Sequence, residues 1–296
     1  MILLEMGKSR PTFCIPPLFF TFVVMSEQMR FDSNVSILLI IGFIFLIASV
    51  VSFEQFQKNK LSLILLFISG LFLCSAMAML DPFLNNWDEQ FHALVAKNLL
   101  LHPFTPTLYE NPILPYNYTS WIANHVWLHK QPLFLWQIAI SLKVFGLNEF
   151  AVRLPSILMM SILPLFIYRI GKISLNERIG YYGALLFCTA FYVHEMLTGF
   201  PPSDHNDIAF LFYITASIWA WVEYERAQKK YWLILIGLFS GGAVLIKWLT
   251  GLLVFSGWGL AILFNKERRK SFQEYKSIAS SFIVSLIVFI PWQVYI

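Results

Sequence analysis

Long apolar runs separated by short basic turns set the rhythm of this chain. Residues 35–53, 61–80, 155–171, 179–199, 231–246, 248–264 and 277–295 are each close to the roughly 17–25 apolar residues that a helix needs to cross a bilayer. The run 208–222 is shorter but continuous, and 12–25 is interrupted by Pro16 and Pro17. The pattern predicts an all-α fold, a polytopic transmembrane bundle of about eight or nine spans. Residues 81–154 break the rhythm and form one large loop of amphipathic juxtamembrane helices.

The basic residues orient the set. Lys8 and Arg10 place the N-terminus on the cytoplasmic side by the positive-inside rule. Lys58 and Lys60 mark the next cytoplasmic turn. Further turns follow at Arg169, Lys172 and Arg178, at Arg226, Lys229 and Lys230, and at Lys266, Arg268, Arg269 and Lys270. The clusters alternate correctly if residues 81–154 stay outside, which requires 132–147 to lie in the interface rather than cross. No small-residue cleavage site follows the first apolar run, so a removed signal peptide is not expected.

Composition agrees with that reading. Of 296 residues, 58% are hydrophobic and 13% charged, about half the charge of a soluble domain. A net charge of +4, scattered along the chain, argues against a nucleic-acid partner. Cys14, Cys74 and Cys188 all sit in apolar runs and read as small buried hydrophobes.

The chemistry gathers in the outer loops. Asn85-Asn86-Trp87-Asp88-Glu89 opens the large loop, and Asn86 followed by Glu89 has the spacing of a capping box. Phe91, Leu94, Val95 and Leu99 then recur at helical spacing. Asp88 and Glu89 either suit a helix start or present a carboxylate able to accept a proton from a hydroxyl. His125 and His129, four apart, share a helix face with metal-ligating spacing, although such a pair is more often plain surface. Asp204 and Asp207 fall in a short outer loop, where Asp207 either caps the next helix or serves a site. Lys247 sits at an outer turn between two apolar runs.

These residues in order resemble the GT-C membrane glycosyltransferases. The stretches are Asp88-Glu89, Lys130-Gln-Pro-Leu-Phe-Leu-Trp136, Phe145-Gly146-Leu-Asn-Glu149-Phe-Ala-Val-Arg153-Leu-Pro155, Asp207-Ile-Ala-Phe-Leu-Phe-Tyr213 and Gly242-Ala-Val-Leu-Ile-Lys247. Within that superfamily they are most similar to the protein O-mannosyltransferase and lipid A aminoarabinose transferase group. The likeness covers residues 61–296, leaving 1–60 as N-terminal membrane segments. It implies inverting transfer of a sugar from a polyprenyl phosphate on the extracytoplasmic face, with Asp88 matching the family's catalytic carboxylate. Lys130 matches a lysine near the donor phosphate, and Asp207 a second acidic site. His129 departs from the aminoarabinose transferases, which carry a metal-binding Glu there. Members of the family continue through further spans, so the chain is expected to be truncated relative to them.

The residue types fit that chemistry on their own terms. A phosphate leaving group needs neutralising charge, and an attacking hydroxyl needs a base. The expected roles are Asp88 as base oriented by Glu89, with Lys130, Lys247 and Arg153 on the phosphate and Asp207 and Asp204 binding substrate. A divalent metal ion is the one cofactor suggested, on His125 and His129. The expected partners are the lipid bilayer, a polyprenyl-phosphate-linked sugar and a lipid, glycan or protein hydroxyl. The loop-poor chain leans toward a bacterial inner membrane. The competing readings are a transporter and an inactive relative that binds the lipid-linked sugar.

Overall fold

The structure is a computed structural model describing residues 33–117, 119–199 and 204–296. The run 12–25, with Cys14, Lys8 and Arg10, lies outside the described residues. Helices α1 (Ser33–Glu54) and α2 (Asn59–Ala78) form an antiparallel pair, closely packed where Gly42 admits the Leu73 side chain. The large loop holds α3 (Asp88–Asn98) and α4 (Pro132–Phe145). The bundle resumes with α5 (Glu149–Ser174), α6 (Glu177–Thr189), the short α7 (Phe191–Glu195) and α8 (His205–Ala227). It closes with α9 (Lys230–Lys247), α10 (Leu253–Phe264), α11 (Lys266–Lys270) and α12 (Phe272–Tyr295).

The boundaries follow from local chemistry. Asn148 caps α5 by accepting from the Ala151 N–H at 2.8 Å, and Asn176 caps α6 through Ile179 at 2.9 Å. Pro132 opens α4 at a position where no intrahelical N–H is needed. At about 21 Å by its helical rise, α4 is too short to cross the ~30 Å hydrocarbon core. It packs on α3, α5 and α9 at one end of the bundle.

Five segments among the described residues are long and apolar enough to span: Ser33–Glu54, Asn59–Ala78, Glu149–Ser174, Lys230–Phe264 and Phe272–Tyr295. The fourth turns back on itself. Trp248–Leu252 is a 3-10 turn folded against α9, where Ser240 donates to the Gly251 carbonyl at 2.7 Å. The expected run 179–199 is interrupted. Helix α6 ends at Thr189, whose hydroxyl turns onto the Leu185 and Leu186 carbonyls, while His194 bonds the Cys188 carbonyl. Those bonds satisfy the terminal carbonyls without a continued helix. Cys74 and Cys188 are free and buried.

Small residues draw the helices together, as in membrane bundles generally. On α9, Gly237 and Gly241 face Ser281 and Ser285 of α12. A Cβ at Gly237 would lie 2.5 Å from the Ser281 carbonyl, and one at Gly241 2.9 Å from that of Ser285. Gly171 and Gly180 meet backbone to backbone where α5 and α6 join.

The two ends of the bundle differ. At one, Arg169 and Arg226 pair with buried Glu223, Arg268 pairs with Glu225 and Glu274, Lys172 with Glu177, and Arg178 with Glu54. This end collects the helix turns that the basic clusters mark. The other end carries α3, α4 and the start of α8.

Candidate active site

Helix α3 positions the first residues of the site, and not in the way the capping-box spacing predicts. Trp87 occupies the cap position with no side-chain cap bond, and the Asn86 side chain accepts from Gln90 instead. The inward stripe is Glu89, His92, Val95, Ala96 and Leu99, all buried. The expected apolar face, from Phe91 through Leu94, is only partly inside. The stripe turns inward because Glu89 has a stronger partner than the helix start. Arg153, at the head of α5, donates to Glu89 Oε1 at 2.6 Å and Oε2 at 3.0 Å.

That pairing corrects two expected roles. The other three N–H groups of Arg153 go to the carbonyls of Ala78 at 2.5 Å, Asp81 at 2.6 Å and Phe83 at 2.8 Å. All five guanidinium donors are consumed inside the protein. Arg153, 1% exposed, has none left for a phosphate. Glu89 also accepts from the Asn85 N–H at 2.7 Å, and no bond joins it to Asp88 among the described contacts. Glu89 and Arg153 therefore tie the ends of α2, α3 and α5 together rather than orienting the base. Burial opposes ionisation of Glu89, but Arg153 and His205 outweigh it and hold its carboxyl below the usual range. Gly199, at φ +70°, comes so close to Glu89 that a Cβ there would lie 2.6 Å from Oε2.

Asp88 points the other way, toward Lys130. The Lys130 ammonium lies 2.8 Å from Asp204 Oδ2 and 3.6 Å from Asp88 Oδ2. Asp204 caps α8 through the Asn206 N–H at 2.9 Å, and its Oδ1 faces His92 Nδ1 at 3.6 Å. In the first turn of α8, Asp207 pairs with Lys247, whose ammonium also lies 5.9 Å from the Phe210 ring. Lys130 and Asp207 are close enough to influence each other electrostatically. Asp88, Lys130, Asp204, Asp207 and Lys247 thus share one rim of the bundle, brought there from α3, the segment before α4, α8 and the end of α9.

Charge and burial set the proton affinities. Burial, then the Asp204 charge, raises the Asp88 carboxyl against the opposing pull of Lys130. Burial works against Asp204, yet His92 and Lys130 keep it low. Burial likewise works against the Lys130 ammonium, but Asp204 and Asp88 push it up. Burial drops His92 and His205 to about 4, so both are neutral near pH 7.

Two backbone positions beside the site are strained. Trp87 (φ +83°) precedes Asp88, and Trp248 (φ +53°) follows Lys247. Positive φ at a bulky residue is uncommon and concentrates at functional positions. Trp87 meets Trp121 edge-on at 5.7 Å, and Trp121 stacks on His129 at 4.5 Å, forming an aromatic wall next to Asp88.

The histidine pair does not form the expected helical metal face. Residues 124–131 are not helical, and Val126 is bridged to Thr107. His125 bonds the Leu114 carbonyl at 3.1 Å, and His129 packs on Trp121. Among the described residues, the group spaced to hold a metal ion is Asp88, His92 and Asp204. Sequence reasoning passed over His92. Its signal was the 89–92–96–99 periodicity, which places it on the buried stripe with Glu89.

Beside the site, an apolar cavity of about 430 Å³ runs along α4, one turn beyond Lys130. Leu99 and Leu100 from the end of α3, and Leu133, Trp136 and Ile140 of α4, line it.

The comparisons agree with this architecture. The crystal structure of ArnT from Cupriavidus metallidurans in the apo state superposes with a TM-score of 0.60. The match has 17% identity and covers 78% of this chain and 41% of that one. The same protein bound to undecaprenyl phosphate gives a TM-score of 0.57 at 16% identity, with the same coverage. The fold is that of a GT-C membrane glycosyltransferase. An uncharacterized protein of Aquifex aeolicus (strain VF5) is 26% identical over 174 residues, 57% of this chain and 31% of the relative. The chain therefore spans well under half the length of these proteins. The model of the dolichyl-phosphate-mannose-protein mannosyltransferase family matches residues 129–295, more than half of the sequence, and the chain belongs to that family.

Proposed function

We propose that this protein transfers a sugar from a polyprenyl phosphate to a hydroxyl acceptor, with inversion, at the rim bearing Asp88. The observation that carries the reading is the Lys130 ammonium held against Asp88 and Asp204, with Asp207–Lys247 alongside. A base and two ammonium groups on one rim are what such a transfer requires.

Asp88 takes the proton of the acceptor hydroxyl. The acceptor oxygen attacks the anomeric carbon from the face opposite the phosphate. The bond from that carbon to the phosphate oxygen breaks, and its electron pair leaves on the polyprenyl phosphate. Lys130 and Lys247 turn toward the departing phosphate and stabilise its growing charge. Neither is consumed in the scaffold as Arg153 is. The apolar cavity along α4 offers the prenyl chain a path out of water next to Lys130. ArnT, which shares the fold, has been crystallised with undecaprenyl phosphate, in line with a donor of this class. The basic turns gather at the opposite end of the bundle, which by the positive-inside rule supports an extracytoplasmic position for this rim.

The test is binding of undecaprenyl phosphate to the full chain in nanodiscs. Lys130→Met and Lys247→Met should each weaken it by roughly tenfold or more, as expected for losing a charge-assisted contact. Lys229→Met, at the other end of the bundle, should leave it unchanged. Equal affinity in all three variants would remove the lysines from the donor site.

A further inference from the structure

We propose that this site takes a divalent cation on Asp88, His92 and Asp204. One ligand atom from each residue lies within 4.8 Å of the other two. Donor atoms around a tetrahedral ion bound at 2.0–2.2 Å stand roughly 3.4 Å apart, so the widest pair need close by no more than about 1.4 Å.

His92 supplies the independent reason to expect a ligand. Its side chain is 2% exposed, and neither ring nitrogen has a hydrogen-bond partner. The distance of 3.6 Å from Nδ1 to Asp204 Oδ1 exceeds hydrogen-bond reach. Trp127 and Phe134 pack against the imidazole edge-to-face and hold it in place. A buried polar atom left without a partner costs stability, and in native proteins it usually marks a function or a missing ligand.

Charge balance gives a second reason. Three carboxylates, Asp88, Asp204 and Asp207, face only two ammonium groups, Lys130 and Lys247. The rim thus carries one negative charge in excess, where an anionic donor must dock. Glu89 and Arg153 cancel each other and do not alter the count. A divalent cation reverses the sign. It also takes over the place of the Lys130 ammonium against the two carboxylates, freeing that lysine, still protonated, for the phosphate. Mixed imidazole and carboxylate donors suit Zn²⁺ and its neighbours better than Ca²⁺. When bound, such an ion supplies charge neutralisation to a leaving phosphate. The ligand set excludes His125 and His129. The inference deepens the transferase reading, and depends on it only for the identity of the anion.

The experiment is a titration of the chelator-stripped full chain in nanodiscs. Co²⁺ binding is followed by visible absorption and Zn²⁺ binding by calorimetry. One ion per chain is expected. His92→Asn should weaken binding by at least about tenfold, the lower end of what even outer partners of a metal site cost. Lys130→Met should tighten it by removing the competing cation, and His125→Asn should bind as the wild type does. If His92→Asn fails to fold, Asp88→Asn at the half-exposed position gives the same readout. No stoichiometric binding by the folded wild type, or wild-type affinity in both ligand variants, would overturn the site. Sugar transfer that persists in chelator without a bound ion overturns the cation and leaves the transferase reading standing. Binding without transfer does the reverse.

Discussion

Arg153 shows how far a residue's role depends on partners that lie distant in the sequence. It stands in a stretch that reads as part of a phosphate site, yet its five donors end on Glu89 and three carbonyls at the end of α2 and the loop beyond. Glu89, 64 positions away, is diverted from the local capping role that its spacing suggests. A capping box contributes about a kilocalorie, whereas an unpaired buried charge costs several. Arg153→Met should therefore destabilise the protein by about 3–5 kcal/mol through the stranded Glu89 carboxylate. Adding Glu89→Gln should restore part of the loss. Thermal unfolding of the single and double variants in detergent checks both, and an unchanged midpoint for Arg153→Met would contradict this account. Asp88, Lys130, Asp204, Asp207 and Lys247 were visible in the sequence as residue types out of place beside apolar runs. His92 was not, because the 89–92–96–99 spacing tells that it shares a stripe with Glu89 but not which distant side chains that stripe meets.

Among the helices, the sequence revealed what length and hydropathy can reveal. The runs 35–53, 61–80 and 277–295 match α1, α2 and α12 with ends shifted by a few residues. The break after Thr189 was hidden, since it comes from side-chain bonds to terminal carbonyls within a run that stays apolar. Packing partners were equally hidden: Gly237-x-x-x-Gly241 is plain in the sequence, but its fit against Ser281 and Ser285 is not. Lipid tails are as apolar as the helices, so close backbone approach rather than hydrophobicity holds that seam. Gly241→Leu would drive its side chain into Val288 and the Ser285 carbonyl. Such overpacking should cost about 1–3 kcal/mol. A Cβ at Gly257 meets nothing within 4 Å, so Gly257→Ala should leave the midpoint level or slightly higher. Detergent unfolding of the two variants would refute the seam if both behaved alike.

At the scale of the whole molecule, the bundle separates two kinds of charge. One end holds arginines and lysines paired with Glu54, Glu177, Glu223, Glu225 and Glu274, which lock helix turns together. The other holds the carboxylates and lysines of the rim, bordered by strained backbone at Trp87 and Trp248 and by an aromatic wall. The first arrangement is scaffolding, and the second is the one to which the proposed function assigns the ligand. Alternating basic turns made this polarity readable from the sequence. The convergence of five side chains on one rim required the fold.

That convergence is tested most directly by Asp88→Asn in the full chain, assayed for transfer of labelled sugar from a polyprenyl phosphate. Asparagine keeps the shape but cannot take the acceptor's proton, so transfer should fall by about 10²–10⁴-fold. Membrane insertion and the unfolding midpoint should stay at wild-type values. Wild-type turnover in this variant would contradict the assignment of the rim as the catalytic site.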